Sequence, residues 1–346
     1  YAAYLIGFLT ICLLCTIHSK KHFITLMHTT MLVPIMLSFL LTNSRGAFLT
    51  LPIVVLLILL FIPWKKQLVL LLHLFVSFIV SLLIMERTEN WITLLIVSFV
   101  TGVLLSLIQF FLKKESEEFN GGYKSQNFII PGVFTLLGVI IFSIVSSGKI
   151  PFADYLPIRL VRRIRSINLE SAFSRNTLFG DSFEIIKDYP VFGAGGGAWS
   201  NLYPQYQSYP YMSNQVHNFF LQYTIETGII GLLILLVLFI YIGWLFIKHL
   251  IFQKNRDERY RSLFFFSLSA AFLIHSILDF DMTYVYVGAL VFLCLGGMVS
   301  NIDFPITRIK PMNIRWNKIY PIATSIISII VISAAAQSIN AHSLFS

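Results

Sequence analysis

The sequence predicts an all-α fold, a polytopic bundle of membrane-spanning helices, on three observations. Of 346 residues, 57% are hydrophobic and only 12% charged, whereas soluble domains run about 45–50% apolar and about 25% charged. Mean hydropathy is +0.79. The apolar residues fall in charge-bounded runs near the roughly 20 residues that cross a bilayer. These proportions exclude a soluble globular enzyme, a disordered protein and a disulfide-rich secreted domain. Cys12, Cys15 and Cys294 all lie inside apolar runs. No close-set His or further Cys joins them, so no zinc site follows, and the Cys12-x-x-Cys15 pair reads as packing rather than redox chemistry.

About ten spans are expected, at roughly 1–17, 23–41, 47–62, 67–85, 91–112, 128–147, 217–247, 262–280, 283–300 and 319–338. The first closes at Lys20-Lys21. The 47–62 run is short and leans on Thr42–Arg45 for its start. Lys113–Lys124 is a mixed-charge linker ahead of 128–147. The 217–247 run is too long for one upright helix, so it tilts or rises above the bilayer. The division is an N-terminal bundle (1–147), a large external segment with short helices (148–216), a C-terminal bundle (217–338) and an external tail (339–346).

Sidedness follows from Lys and Arg in alternate loops. One set of loops carries 16 of them, the other set of short loops only Arg45 and Arg87. The basic side is cytoplasmic, which puts 148–216 outside. The net charge of +9 therefore reflects topology and not nucleic-acid binding. The chain opens at Tyr1 within an apolar run and on the outer side. The expectation is a trimmed chain with an odd number of spans missing upstream.

Polar chemistry collects on the outer side, and ionisable groups at membrane depth mark function. Arg45 stands in Asn43-Ser44-Arg45-Gly46-Ala47 at the mouth of a span. An interfacial snorkelling arginine and a fixed cation for an anionic headgroup both suit it. Arg159, Arg162, Arg163 and Arg165 alternate with apolar residues, and the first three share a helical face. An amphipathic helix on anionic lipid is the simpler reading. A pyrophosphate clamp is the sharper one, since guanidinium forks match phosphate oxygens.

Beyond Arg175, a short helix is expected over Leu178–Lys187, followed by a glycine turn at Gly193–Gly197. The turn lacks the preceding strand of a dinucleotide site and the Lys-Ser/Thr of a P-loop, so neither nucleotide reading holds. Tyr203, Tyr206, Tyr209 and Tyr211 suit an interface belt and also stacking on sugar rings. Asn218, Gln222 and Glu226 follow at i, i+4, i+8 and form one polar stripe. His217 heads it, with Glu226 about 13 Å deeper. His275 and Asp279 are i, i+4 neighbours placed to pair. Asp279-Phe280-Asp281 looks like the metal-binding D-x-D of nucleotide-sugar transferases, but such donors are cytosolic and this motif lies outside, so no metal is assigned.

Arg45, Arg175, His217, Asp279 and Asp281 thus gather near one membrane face. Cations, a candidate base and a hydrophilic vestibule suit a lipid-linked phosphorylated substrate whose tail stays in the bilayer. A diphosphate-linked donor carries its own activated leaving group, so no ATP motif is needed and no cofactor is implied.

These residues resemble the bacterial O-antigen ligase and Wzy-type O-antigen polymerase superfamily over about residues 40–300. The resemblance rests on Ser44-Arg45-Gly46-Ala47; on Arg175 followed by Ile185-Ile186-Lys187-Asp188-Tyr189-Pro190-Val191-Phe192-Gly193-Ala194-Gly195; and on Val216-His217-Asn218-Phe219-Phe220-Leu221-Gln222 running into Glu226-Thr227-Gly228-Ile229-Ile230-Gly231. His275-Ser276 with Asp279-Phe280 is similar to a downstream feature. The resemblance implies a multi-pass cell-membrane glycosyltransferase with its active face outside the cytoplasm. Its donor would be a glycan on undecaprenyl diphosphate, and its acceptor a lipid-A-core sugar or another carrier-linked glycan. His217 would act on the acceptor hydroxyl, and Arg45 and Arg175 would hold the diphosphate. The Arg159–Arg165 cluster matches no particular family arginine. A transporter or flippase of lipid-linked glycans is the competing class and predicts broken helices and inverted repeats. A non-catalytic scaffold leaves the polar stripe unexplained.

Overall fold

Backbone amides in hydrocarbon must bond internally, which leaves helices for apolar runs of this kind. The computed structural model describes residues 1–85, 90–116, 125–146, 169–253 and 255–300, with Ile158 and Val161. Among them there are helices and no strand. The apolar runs give α1 (Ala2–His18), α2 (His22–Leu41), α3 (Arg45–Leu59), α4 (Trp64–Ile84), α5 (Trp91–Ser116) and α6 (Ile129–Ser146). α7 (Leu169–Asp188) and α8 (Ala198–Tyr206) follow, then α9 (Phe219–Phe252), α10 (Arg256–His275) and α11 (Val285–Val299).

Among the described residues, four helices are long and apolar enough to cross a membrane: His22–Leu41, Trp64–Ile84, Trp91–Leu112 and Phe219–Phe252. The apolar stretches Ala2–His18, Arg45–Leu59, Gln126–Ile141 and Val285–Val299 are shorter. The expected span 319–338, the tail 339–346, Arg87 and the Arg159, Arg162, Arg163 and Arg165 cluster lie outside the described residues. Residues Tyr1–Asn301 form one compact unit.

Helices from both ends of this unit share a core. Tyr4 of α1 meets Phe272 of α10 edge to face at 4.7 Å, and Phe246 of α9 stacks on Phe266 of α10 at 4.7 Å. Polar groups tie helices together inside: Gln67 donates to the carbonyls of Leu59, Ile62 and Asn127, and Thr29 donates across to Gly102 of α5 at 2.8 Å. Large apolar side chains on α5 and α6 point outward, among them Phe99, Leu104, Val133 and Leu136. Apolar surface on this scale is what lipid solvates.

A second, smaller cluster joins α7, α8 and the start of α9 through Leu178, Ile185, Trp199, Val216 and Ile225. The sequence expectation there was partly short. The helix expected over Leu178–Lys187 extends back to Leu169, and α8 occupies part of the stretch read as a tyrosine-proline patch.

The long 217–247 run is not one helix. α9 breaks at Gly228, whose φ of 70° and ψ of −177° leave the helical region. The break is bonded in both directions to the loop after α7. Ala194 N–H donates to the Ile225 carbonyl at 2.8 Å and Gly195 N–H to the Glu226 carbonyl at 3.1 Å. In return Ile229 N–H donates to the Pro190 carbonyl at 2.8 Å and Ile230 N–H to the Val191 carbonyl at 3.4 Å. Four backbone groups freed by the break are thereby satisfied, as buried amides require. The approach is close enough to need glycine. A Cβ on Gly228 would overlap the Val191 carbonyl, and one on Gly193 would stand 2.5 Å from the Glu226 carbonyl carbon.

Gly228→Ala should therefore destabilise the fold by at least about 1–3 kcal/mol, the cost of a side chain in a sparsely allowed backbone region. Gly243→Ala in the same helix, where nothing lies within 4 Å of the added carbon, should be neutral or stabilising by about 0.5–1 kcal/mol. Thermal unfolding in lipid nanodiscs compares the two. Equal midpoints would remove the bonded break as a stabilising feature.

Candidate functional site

The break in α9 aims its first turns, and His217 sits at their head. His217 has a positive φ of 57°, an unusual conformation for a residue with a side chain. Asn218 then caps α9, its side chain accepting from Leu221 N–H at 3.1 Å. Phe219 N–H, with no helical partner of its own, donates to the Ser276 and Asp279 carbonyls beyond α10 at 3.0 and 3.1 Å. This tie brings the start of α9 against the α10–α11 connection.

The imidazole Nδ1 of His217 lies 3.2 Å from Asp279 Oδ1. Its ring meets Phe280 edge to face at 5.0 Å. Burial pushes the Asp279 carboxyl up, but the hydrogen bonds from His217 and Phe280 N–H and the nearby imidazoles outweigh it and hold the carboxyl below its ordinary value. An ionised Asp279 accepts, so Nδ1 carries the proton and Nε2 is left as the basic nitrogen. His217 lines a cavity of about 320 Å³ together with Arg175, Leu178, Tyr209, Tyr211, Met212 and Ser213. Arg175 is half-buried. Among the described residues no carboxylate pairs with it, so its charge is available to an anion.

The wall of that cavity is held by Asp181, a residue that sequence reasoning missed. Asp181 is buried in α7 and accepts from the Tyr211 hydroxyl at 2.7 Å and from Ser208 N–H at 3.3 Å. Burial and that hydrogen bond push the Tyr211 phenol pKa up, so it stays protonated and donating. Trp199, Tyr203 and Tyr211 stack in series, and Trp199 Nε1 donates to the Ser213 carbonyl at 3.0 Å. These tyrosines pack the loop onto α7, while Tyr209 stays exposed at the cavity. The sequence held little signal for Asp181: it shares with Leu178, Ser182 and Ile185 the face that the fold buries, but that face mixes polar and apolar residues and makes no apolar stripe.

A second histidine–carboxylate pair stands beside the first. His275 is buried and its Nδ1 bonds Asp281, while its Nε2 lies 3.4 Å from the Ser44 hydroxyl. The expected i, i+4 pairing of His275 with Asp279 does not form. α10 ends at His275, so Asp279 is no longer one helical turn above it, and the two carboxylates of Asp279-Phe280-Asp281 serve different histidines. Ser44 also caps α3, accepting from Ala47 N–H at 3.3 Å, which places Arg45 in the first turn. Arg45 joins the network through Ser44 but does not line the His217–Arg175 cavity. Its Nε is buried without a hydrogen-bond partner.

The polar stripe is real but divided. Asn218 is a cap, whereas Gln222 Nε2 lies 3.4 Å from Glu226 Oε1. The Glu226 carboxylate also accepts from Gly197 N–H, the N-cap of α8, at 3.3 Å. Among the described residues no group of three His, Cys, Asp or Glu side chains is placed to hold a metal.

A family model described as O-antigen ligase matches residues 30–236, more than half of the chain. The chain belongs to the O-antigen ligase family. Neither a curated protein nor a solved structure matches it. Membership makes it a multi-pass membrane protein of cell-surface polysaccharide assembly and supports an enzyme. The matched span holds Arg45, Arg175, His217 and both sides of the α9 break. His275, Asp279 and Asp281 lie beyond it, and the fold returns them to His217.

The depressed carboxyl of Asp279 has a signed consequence. A group whose folded value lies below its unfolded value contributes stability at higher pH and loses it as pH falls through the folded value. Asp279→Asn should therefore cost stability above pH 3.8, the ordinary carboxyl value, and that cost should shrink as the pH falls below it. Parallel melts of parent and variant across pH measure this. A cost that fails to shrink as the pH falls below 3.8 would contradict the His217–Asp279 pairing.

Proposed function

We propose that this family member transfers a glycan from an undecaprenyl-diphosphate carrier to a hydroxyl acceptor at the extracytoplasmic face of the cell membrane. The observation that carries the reading is His217, oriented by Asp279, sharing one cavity wall with Arg175. The acceptor oxygen attacks the anomeric carbon and its proton passes to His217 Nε2. The bond from that carbon to the diphosphate oxygen breaks, and the diphosphate leaves with the electron pair. Arg175 meets the charge that develops on it, with Arg45 as a second cation and the Arg159, Arg162 and Arg163 cluster as further candidates. The imidazolium formed in the step faces the Asp279 carboxylate, which stabilises it.

The broken α9 is also what a transporter of lipid-linked glycans would use, because freed backbone groups bind substrate there. Here the loop residues Pro190–Gly195 take up the groups that the break exposes, which favours the transferase. Translocation blocked by Glu226→Gln with His217 dispensable would favour the transporter.

His217→Ala should abolish glycan transfer with protein abundance unchanged, and Arg175→Ala should lower the rate by about 10²–10³. The measurement uses purified protein in lipid with a short glycan on undecaprenyl diphosphate, following release of carrier diphosphate and product length. A ladder lost in His217→Ala identifies a polymerase. Release only after a glycolipid acceptor is added identifies a ligase. Transfer undiminished in both variants would overturn the reading.

A further inference from the structure

The turn that partners the α9 break, Tyr189–Phe192, carries apolar surface that the His217–Arg175 cavity does not use. Phe192 is 78% exposed and Val191 48%, and Tyr189 beside them is exposed as well. The turn is fixed in place. Ile229 N–H donates to the Pro190 carbonyl, Ile230 N–H to the Val191 carbonyl, and Gly193 packs on the Glu226 backbone. Turn and break therefore stand at one level along α9. Large apolar side chains held outward on a fixed turn are unfavourable in water and mark a surface with a partner.

What that partner is follows from the length of helix beyond the break. No charged residue stands between Ile229 and Ile247. At the far end Tyr241 stacks on Trp244, and Lys248 Nζ lies 5.1 Å from the Trp244 ring centroid. Tyrosine, tryptophan and lysine at a helix end mark a membrane–water interface. Twenty positions separate Gly228 from Lys248, about 30 Å of helix, and the hydrocarbon core is about 30 Å thick. With one interface at Trp244–Lys248, Gly228 falls at the opposite edge of the hydrocarbon, and just inside it when the helix tilts. Ile229, Ile230 and Leu233 are exposed directly after the break, so the apolar outer face of α9 runs up to the turn. The turn itself has the residue order that this depth demands. Lys187 and Asp188 are charged, Tyr189 is amphipathic, and Val191 and Phe192 are apolar. The two charges are engaged on the protein side, Lys187 by Glu184 at 2.6 Å and Asp188 by the Tyr206 hydroxyl at 2.5 Å.

We infer that the Tyr189–Phe192 turn is a membrane-interface anchor, with Val191 and Phe192 set among phospholipid acyl chains and Tyr189 at the headgroups. The inference needs only that α9 crosses a bilayer, and it stands whether the chain is a transferase or a transporter. The backbone bonds tie the turn to α9, and the anchor ties it to the lipid surface. α7, which ends at Asp188, is thereby held at a fixed height over the membrane.

The test places the photoreactive residue benzoylphenylalanine at position 192 of the full chain in phospholipid nanodiscs. The exposed ring of Phe192 leaves room for the larger side chain. The same residue at Leu233, exposed within the span, and at Glu184, exposed on α7, gives the two references. After irradiation, mass spectrometry reads what each site has captured. Positions 192 and 233 should each carry one phospholipid attached through an acyl chain, and that adduct should be lost at position 184. Labelling at 233 without labelling at 192 would overturn the anchor. Capture of a second copy of the chain at 192 would make the turn a protein interface and overturn it too. So would equal lipid capture at 184 and 192, because the turn would then be no deeper than the helix it follows.

Discussion

The reciprocal bonding between the break in α9 and the loop after α7 is the constraint on which the site depends. A 34-residue helix is about 50 Å long, well beyond the roughly 30 Å of hydrocarbon in a bilayer. The break at Gly228 lets the first turns take their own direction. The loop carrying Pro190, Val191, Ala194 and Gly195 supplies the missing backbone partners and locks that direction. His217 heads the segment so aimed, and Glu226 at its foot reaches across to cap α8. One set of backbone bonds thus ties the segment carrying α7 and α8 to α9 and sets the histidine.

Around this frame, charge is sorted by partner. Asp279 and Asp281 stand two residues apart and serve His217 and His275. The first pair faces a cavity and leaves one imidazole nitrogen for chemistry. The second is buried and reaches Ser44, the cap of the helix that begins with Arg45. The carboxylate that orients the cavity-lining histidine and the one that bonds the buried histidine are therefore neighbours on one short connection. Arg175, free of any described carboxylate, supplies the opposite charge within the same cavity wall as His217.

Much of this was legible in the residues. Charge-bounded apolar runs gave the helices, because a bilayer core leaves the backbone no other way to satisfy its amides. His217 stood out because it heads a polar stripe on an apolar helix, and Arg175 because it precedes the Asp188–Gly195 stretch. Three things were not legible. The i, i+4 rule paired His275 with Asp279, but the rule holds only within a continuous helix, and α10 ends at His275. Asp181 looked like an ordinary polar residue of an external helix until the fold buried it against Tyr211. Gly193 and Gly228 looked like unrelated turn and helix glycines, 35 positions apart, until the structure packed them together.

By itself, the sequence determined the helical class and the residue types that can do the chemistry. Those properties are local, set by hydropathy over one span and by the protons and charges each side chain carries. Tertiary structure alone decided which carboxylate orients which histidine, which cation shares its cavity, and where the long helix breaks. Those are relations between segments far apart in the chain, and only chain packing sets the distances on which hydrogen bonds depend.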